Sequence, residues 1–323
     1  MKIESIIFNL NEDDTLYNTI IARMVLVKHH IEVGETNIQV FADGETCVNF
    51  KTSMRGKRVY LLTSPNTATK IMQLNSAIDA AKRASAAEII PIIPYFPYSR
   101  QDKRDQYRGP IGAKILAEMI ENRGGTSMIT FDLHADQLEG FFNIPVIHLK
   151  GKYLFHDHIV KISNSNTVLC SPDMGGLKRV KKMRDFIYKQ NKHIKFPIVS
   201  IDKTRSEANN VDSMEILGNV DGKDVIIIDD MCDTGNTLIK GADALLEAGA
   251  LSVKVLVTHA VLSGEANLNI ASSNIKEFIC SDSLTINGLI SKMDGKLKVI
   301  STGDSLANAI LSINNDMSLN EAK

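Results

Sequence analysis

The chain has few cysteines, almost no net charge and no long hydrophobic run. Its 323 residues include 4 cysteines, and 37 Lys or Arg offset 38 Asp or Glu, a formal net charge of −1. The cysteines are widely scattered and form no Cys-x-x-Cys pair, which argues against a zinc site or a disulfide framework and is typical of a reducing compartment. A near-neutral balance gives no general attraction to nucleic acid or to an anionic membrane. Any anion binding must therefore come from local sites, and we expect a small substrate.

The N-terminus lacks the apolar core of a signal peptide, because it turns polar by Asn11 and Glu12. The apolar stretch 89–98 is short and interrupted by prolines, so it does not predict a membrane span. We therefore expect a cytoplasmic protein that binds neither membranes nor nucleic acid. Its length suggests about two domains with ample hydrophobic core.

Apolar periodicity alternates between strand and helix along the chain. Strands are predicted at 59–63, 87–91, 128–131, 167–170, 198–201, 225–228 and 253–258, and helices at 67–84, at 111–122, from 177 and from 238. This order indicates an α/β fold with two domains, 1–150 and 151–323, each a parallel-rich sheet flanked by helices. The stretch 150–165 is less regular. In such sheets ligands bind beyond the carboxyl ends of the strands.

The most informative segment is 229–237, Asp-Asp-Met-Cys-Asp-Thr-Gly-Asn-Thr, between the apolar run 225–228 and a helical pattern. The N–H groups and dipole of a helix start favour an anion, whereas strand-end carboxylates accept hydrogen bonds from sugar hydroxyls. We therefore assign Asp229 and Asp230 to ribose hydroxyls and the amides of 234–237 to a phosphate. A capped turn is the alternative, since these are ordinary turn residues.

Five further motifs accompany this loop: Phe-Ala-Asp-Gly-Glu at 41–45, the run 93–103 that contains Arg-Gln, Asp-Leu-His-Ala-Asp-Gln at 132–137, Ser-Pro-Asp-Met-Gly-Gly at 171–176, and Ile-Asp-Lys-Thr-Arg at 201–205. With them the chain resembles the ribose-phosphate diphosphokinases from about residue 40 to about residue 265. The resemblance implies two similar phosphoribosyltransferase-like domains. It also implies transfer of the β,γ-diphosphoryl group of ATP to the 1-hydroxyl of ribose 5-phosphate, giving 5-phosphoribosyl diphosphate (PRPP) and AMP.

The same resemblance implies a set of site residues and Mg²⁺ as the cofactor. The catalytic residues would be Lys203, Arg205 and His134, with His134 and Asp173 associated with the metal. ATP would contact Phe41, Asp43, Glu45, Arg100, Gln101, Asp105 and Arg108. Ribose 5-phosphate would contact Asp229, Asp230, Asp233, Thr234, Gly235, Asn236 and Thr237.

Phosphoryl transfer depends on positioning and charge neutralisation, which suits a Lys-x-Arg pair such as Lys203 and Arg205. The polar segment 203–214 is predicted to be a flap that closes over the phosphates, or else a solvated loop. Mg²⁺ prefers oxygen ligands, so Asp173 is the better metal candidate. His134 would then orient a phosphate or a water, or be a structural histidine.

In the resembled family the segment 41–45 comes from a neighbouring subunit and covers the adenine. A homo-oligomer built from dimers is therefore expected, with a hexamer left open. The alternative for this segment is a plain turn at Asp43-Gly44.

Two departures from the family pattern leave the acceptor open. Asn236 replaces a usual glycine, and Thr204 replaces a usual arginine. ADP-ribose, whose 5-phosphate is esterified, is an alternative acceptor, and a non-catalytic relative is a second alternative.

Two other motifs are not assigned to the active site. The His-Asp-His motif at 156–158 is interpreted as a surface turn or solvated strand. The basic run 178–184 is interpreted as a solvated helix face, a subunit contact or an anionic effector site.

Overall fold

A computed structural model describes residues 3–104, 106–204, 213–285, 293 and 295–318. The chain forms two compact units. The first contains Met1–Leu149 together with Ser301–Lys323, and the second contains Lys150–Ile300. Each unit is an α/β layer structure, as the alternating pattern predicts.

The first unit is built on a parallel sheet in the order β2-β1-β5-β6-β7-β8. The strands of this unit are β1 Ser5–Asn9, β2 Glu32–Val33, β3 Thr36–Val40, β4 Thr46–Phe50, β5 Arg58–Leu62, β6 Glu88–Ile93, β7 Met128–Phe131 and β8 Val146–Leu149. The central strands are almost wholly apolar and buried because helices cover both faces of the sheet. The remaining strands, β3 and β4, form a separate antiparallel hairpin.

The helices of this unit are α1 Thr15–Leu26, α2 Ala68–Arg83, α3 Gly112–Arg123 and, last in the chain, α8 Gly303–Asn314. Helices α2 and α3 pack on one face of the sheet, and α1 and α8 pack on the other. The start of α2 follows the N-cap rule, because the Thr67 hydroxyl accepts from the Lys70 amide at 3.2 Å.

The final helix belongs to the first unit, which differs from the expectation that all of residues 151–323 form one domain. Asn314 explains this placement. Its Oδ1 accepts from the Ser5 hydroxyl at 2.7 Å, from the Tyr60 hydroxyl at 2.9 Å and from Arg58 Nη1 at 3.2 Å. Leu306 and Ile310 are fully buried in the same layer. Alternation along the chain cannot reveal such a return to the first sheet.

The second unit holds a seven-stranded sheet in the order β11-β10-β9-β12-β13-β14-β15. Its strands are β9 Thr167–Ser171, β10 Ile198–Thr204, β11 Ser213–Leu217, β12 Asp224–Cys232, β13 Ser252–Ala260, β14 Glu277–Ser281 and β15 Leu297–Ile300. All pairs are parallel except the antiparallel pair of β10 with β11. The predicted strands at 167–170, 198–201, 225–228 and 253–258 all lie within this sheet.

The helices described in this unit are α4 Gly151–Ile162, α5 Leu177–Gln190, α6 Asn236–Glu247 and α7 Ala266–Ser272. The stretch 150–165, which looked irregular, is mostly the helix α4, with Phe155 and Ile159 buried against the sheet. The interpretation of 156–158 as a turn or strand was therefore wrong. It failed because three positions are too few to distinguish helical from alternating spacing.

Among the described residues, no helix combines the length and apolar character that crossing a bilayer requires.

Candidate functional site

The strand-loop-helix of 224–247 is the centre of the candidate site. Strand β12 runs from Asp224 to Cys232, so Asp229 and Asp230 lie within the strand and not in the loop after it. Pairing continues to this end, with Asp229 opposite Val257 and Cys232 opposite Ala260 on β13. The prediction that the strand ends at residue 228 was wrong, because the long neighbouring strand supplies hydrogen bonds that local propensity does not reveal.

The loop after β12 turns sharply into α6. Gly235 has a φ of +79°, a left-handed conformation that favours glycine, and a Cβ there would lie 3.3 Å from the Ile270 side chain. Helix α6 begins at Asn236 and has no side-chain cap, so the N–H groups of its first turn have no partner within the helix. Such a start suits an anion, as predicted for residues 234–237.

The exposure of the loop residues fits a binding surface. Thr234 and Asn236 are exposed, and Asp233 and Thr237 are half-buried. The backbone of Asp233 is anchored, because its carbonyl accepts from the Ser263 amide at 3.0 Å. The loop therefore presents polar groups on a fixed backbone.

An arginine of the basic run 178–184 contacts the acidic pair Asp229 and Asp230. Arg179 Nη1 lies 3.0 Å from Asp230 Oδ1 and 3.3 Å from Asp229 Oδ1. Burial, and then the charge of Asp230, raise the pKa of Asp229 well above its usual value, whereas Arg179 acts in the opposite direction. The interpretation of the whole run 178–184 as a solvated face was therefore wrong for Arg179.

Asp173 follows β9, the neighbour of β12 in the sheet. Its Oδ1 accepts from the Gly176 amide at 2.8 Å, and its carbonyl accepts from the Ser171 hydroxyl at 2.7 Å. These contacts fix the turn that leads into α5. The carboxylate is half-buried and supplies the hard oxygen that Mg²⁺ prefers.

The predicted flap at 203–214 is in part a pair of strands. Lys203 pairs with Met214, and Thr204 pairs with Ser213, so both ends of the segment are arms of the antiparallel pair of β10 with β11. Arg205 lies outside the described residues, as does the side chain of Lys203. The backbone nevertheless places Lys203 near the carboxyl end of β10.

His134 lies in the first unit, on the loop after β7, and is exposed. The loop is fixed by two neighbouring amides. The Asp132 amide donates to the Leu149 carbonyl at 2.9 Å, and the Leu133 amide donates to His148 Nε2 at 2.8 Å. Asp132 has a φ of +27°, an uncommon value for a residue with a side chain. His134 therefore projects from a tightly held turn.

Asp136, Glu139 and His148 bring potential metal-ligand atoms together within 4.8 Å. However, His148 Nδ1 lies 2.5 Å from Glu139 Oε1, and its Nε2 accepts the Leu133 amide. Both ring nitrogens therefore have partners, and the imidazole has none left for a metal. This cluster supports the His134 loop, and we do not assign a metal to it.

The predicted ATP segment follows β6. Arg100, Gln101 and Arg108 are exposed, and Asp105 lies outside the described residues. The Gln101 amide donates to the Tyr98 carbonyl at 2.8 Å, and the Gln101 carbonyl accepts from the Ala113 amide at 3.3 Å at the start of α3. The segment thus follows the carboxyl end of a central strand, where the fold rule places ligands.

Phe41, Asp43 and Glu45 occupy the tip of the hairpin of β3 and β4. All three are exposed, and half of the Phe41 surface is accessible to solvent. The Asp43 carboxylate accepts from the Glu45 amide at 3.0 Å, and Gly44 has a φ of +90°. The turn that was the alternative for this segment is present, and it displays Phe41 beside two carboxylates.

Arg179, Glu139 and His148 were missed in the sequence because each acts through a contact distant in sequence. Arg179 is 50 residues from Asp229. The only available signal was the position of Arg179 soon after the Ser-Pro-Asp-Met-Gly-Gly motif at the start of α5.

Comparisons with known proteins cover nearly the whole chain. Residues 5–124 match the N-terminal domain of ribose phosphate pyrophosphokinase, and residues 139–284 match the phosphoribosyl transferase domain. Ribose-phosphate pyrophosphokinase of Porphyromonas gingivalis is 40% identical over 86% of this chain and 86% of its own. Ribose-phosphate pyrophosphokinase 2 of Enterococcus faecalis is 40% identical over 94% of this chain and 91% of its own. The crystal structure of phosphoribosylpyrophosphate synthetase from Mycobacterium smegmatis superposes with a TM-score of 0.88 at 31% identity, covering 97% of this chain and 99% of that one.

Proposed function

Because this chain belongs to the ribose-phosphate pyrophosphokinase family, we propose that it transfers the β,γ-diphosphoryl group of ATP to the 1-hydroxyl of ribose 5-phosphate, giving PRPP and AMP. The observation that carries the proposal is the second-unit strand-loop-helix, where two carboxylates lie near the carboxyl end of β12 and a helix start without a side-chain cap follows after a short loop. Such a loop can hold a phosphorylated pentose at both ends. The relatives described above bear the name ribose-phosphate pyrophosphokinase, so neither the ADP-ribose acceptor nor a non-catalytic role is favoured.

In this proposal the 5-phosphate dianion lies at the start of α6. The amides of 234–237 would donate to it, with the hydroxyls of Thr234 and Thr237 beside them and Asn236 exposed at the rim. The helix dipole adds about 0.3–1 kcal/mol. Asp229 and Asp230 would accept hydrogen bonds from the ribose hydroxyls. Asp233 lies in the sequence between these two aspartates and the phosphate-binding residues 234–237.

Mg²⁺ is the cofactor we propose, because Asp173 offers an oxygen ligand held in a fixed turn. When bound, the ion neutralises charge on the phosphates of ATP. His134 fits direct magnesium coordination less well, since an imidazole nitrogen is not the ligand that this ion prefers. We assign His134 to hydrogen bonding with a phosphate oxygen or a metal-bound water.

Lys203 and Arg205 are the proposed catalytic cations. Negative charge accumulates on the phosphoryl oxygens and on the departing AMP as the anomeric oxygen attacks the β-phosphorus. Lys203, whose backbone lies near the carboxyl end of β10, and Arg205, two residues later in the sequence, would supply donors to that charge. The guanidinium can contact two phosphate oxygens at once, which the ammonium cannot.

ATP would be held by Arg100 and Arg108 at its phosphates and by Gln101 at polar edges of the nucleoside, with Asp105 in the same segment. The exposed hairpin tip would supply Phe41 for stacking on the adenine, with Asp43 or Glu45 accepting from its amino group.

We expect the purified protein to be at least a dimer, because the hairpin tip exposes an aromatic ring and two carboxylates that would complete the adenine site of a second copy. Light scattering measures the mass, and activity should fall on dilution below the dissociation range. Phe41→Ala should raise the KM for ATP more than the KM for ribose 5-phosphate. A fully active monomer would contradict this assembly.

The activity itself is tested by incubating the protein with ATP and magnesium plus either ribose 5-phosphate or ADP-ribose, and following AMP release. We expect AMP and PRPP in equal amounts, with kcat/KM for ribose 5-phosphate well above that for ADP-ribose. A preference for ADP-ribose would change the acceptor but not the reaction. PRPP consumption with a nucleobase and no AMP formation would replace the proposal with a phosphoribosyltransferase. In cells we propose a cytoplasmic enzyme, because its cysteines are few and widely scattered along the chain.

A further inference from the structure

Arg179 contacts both carboxylates of the acidic pair of β12, Asp229 and Asp230. It projects from the first turns of α5, and a single nitrogen, Nη1, reaches both carboxylates. The Arg179 side chain is 24% exposed, Asp229 is 22% exposed and Asp230 is 4% exposed. The contact is therefore largely shielded from solvent. Charges that are shielded in this way are screened little by salt.

Two adjacent buried carboxylates cannot both stay ionised without help, because burial and mutual repulsion favour their protonated forms. The ribose-binding role requires ionised carboxylates, which accept hydrogen bonds most strongly. The other titratable neighbour on this strand is Cys232, and burial raises the pKa of its thiol to about 12, so it stays neutral. Asp233 adds a further negative charge nearby. Arg179 thus opposes protonation of the pair.

We propose that Arg179 is a positioning residue for the acceptor, favouring the ionised forms of the Asp229 and Asp230 carboxylates and holding them in place before ribose 5-phosphate binds. This inference rests on the proposed function of the loop. Arg179 itself need not touch the substrate. Its loss should therefore weaken acceptor binding more than turnover or ATP binding.

The test uses Arg179→Gln, with Lys181→Gln as a matched control, since Lys181 is an exposed cation on the same helix. Arg179→Gln should raise the KM for ribose 5-phosphate at least about tenfold at neutral pH, the scale of one charged hydrogen bond, with little change in the KM for ATP. Without the cation the carboxyl pKa values rise, so the defect should shrink as the pH is raised towards about 9. The control should behave as wild type.

Arg179→Lys keeps a single cationic nitrogen. Its KM for ribose 5-phosphate should lie within about threefold of wild type, or show a defect that is smaller than that of Arg179→Gln and also shrinks at high pH. It carries the test alone if Arg179→Gln does not fold. A KM defect in Arg179→Gln or Arg179→Lys that is constant with pH would overturn the proposal, as would an equal rise in the KM for ATP or a fall in kcat alone. Release of AMP by the wild-type protein with ribose 5-phosphate tests the enzyme function separately.

Discussion

Lys203→Ala is expected to lower the rate of AMP formation at least about 100-fold, the loss typical of removing one donor aimed at transition-state charge. The physical reason is that Lys203, whose backbone lies near the carboxyl end of β10, would meet charge that develops only as the diphosphoryl group moves. The KM values for both substrates should change much less. Initial rates at saturating ATP and ribose 5-phosphate measure the effect.

The control for Lys203→Ala is Lys195→Ala. Lys195 is an exposed lysine just before the other end of the same strand, so it tests loss of a cation without loss of the proposed donor. Both variants should keep the melting temperature of the wild type, because a Lys-to-Ala change introduces neither backbone strain nor a buried polar group. Unchanged turnover in Lys203→Ala, or an equal loss in Lys195→Ala, would remove Lys203 from the catalytic set.

Asp229→Asn should raise the KM for ribose 5-phosphate by about 10–100-fold, because hydrogen bonds to a charged group contribute about 1.5–3 kcal/mol each. Asp230→Asn should act in the same direction. Asp229 keeps more of its side chain accessible, so we expect the larger effect there. Isothermal titration with ribose 5-phosphate and steady-state kinetics measure the change, and the KM for ATP should stay within about twofold.

Asp224→Asn is the matched control, because Asp224 lies at the opposite end of β12. Its carboxylate accepts from the Asn164 amide nitrogen at 2.7 Å and also from the Ser252 hydroxyl. These two hydrogen bonds lower the pKa of Asp224, and the bond from Ser252 has the larger effect. The stabilising contribution of the Asp224 carboxylate is therefore present above the unfolded-state pKa and is lost as the pH falls through the lower folded-state pKa.

Asp224→Asn should reduce stability at neutral pH and leave acceptor binding unchanged. Acceptor binding that is equally weak in all three variants would contradict the ribose assignment.

Much of the fold could be predicted because its strands are buried on both faces. The run Val225–Ile228 is apolar throughout and Met128–Phe131 is apolar except for Thr130, and in this order with amphipathic helices such runs indicate parallel sheets. The strand β12 was predicted too short because its last residues are polar, and they stay in the sheet only through β13. The helix α4 was missed although Phe155, Ile159 and Ile162 lie at helical spacing, because the polar run 156–158 between them obscures the period.

The candidate site divides in the same way. The motifs at 132–137, 171–176 and 229–237 were recognisable because their chemistry is local: carboxylates at strand ends and glycine at a turn with positive φ. Asp105 and Arg205 stay predictions that lie outside the described residues. The roles of Asp43, Arg100, Gln101, Arg108 and Thr237 are also predictions, although the structure places each on an exposed or half-buried loop or helix start.

The sequence by itself determined the α/β class and the family and predicts the segments that carry the chemistry, because hydrophobic period and motif spacing are properties of neighbouring residues. Only the tertiary structure decided which distant groups meet those segments. It brought Arg179 to Asp229 and Asp230, His148 to the Leu133 amide, and the last helix to the first sheet through Asn314. Such contacts depend on strand order and helix packing, which bring together residues whose separation along the chain carries no signal.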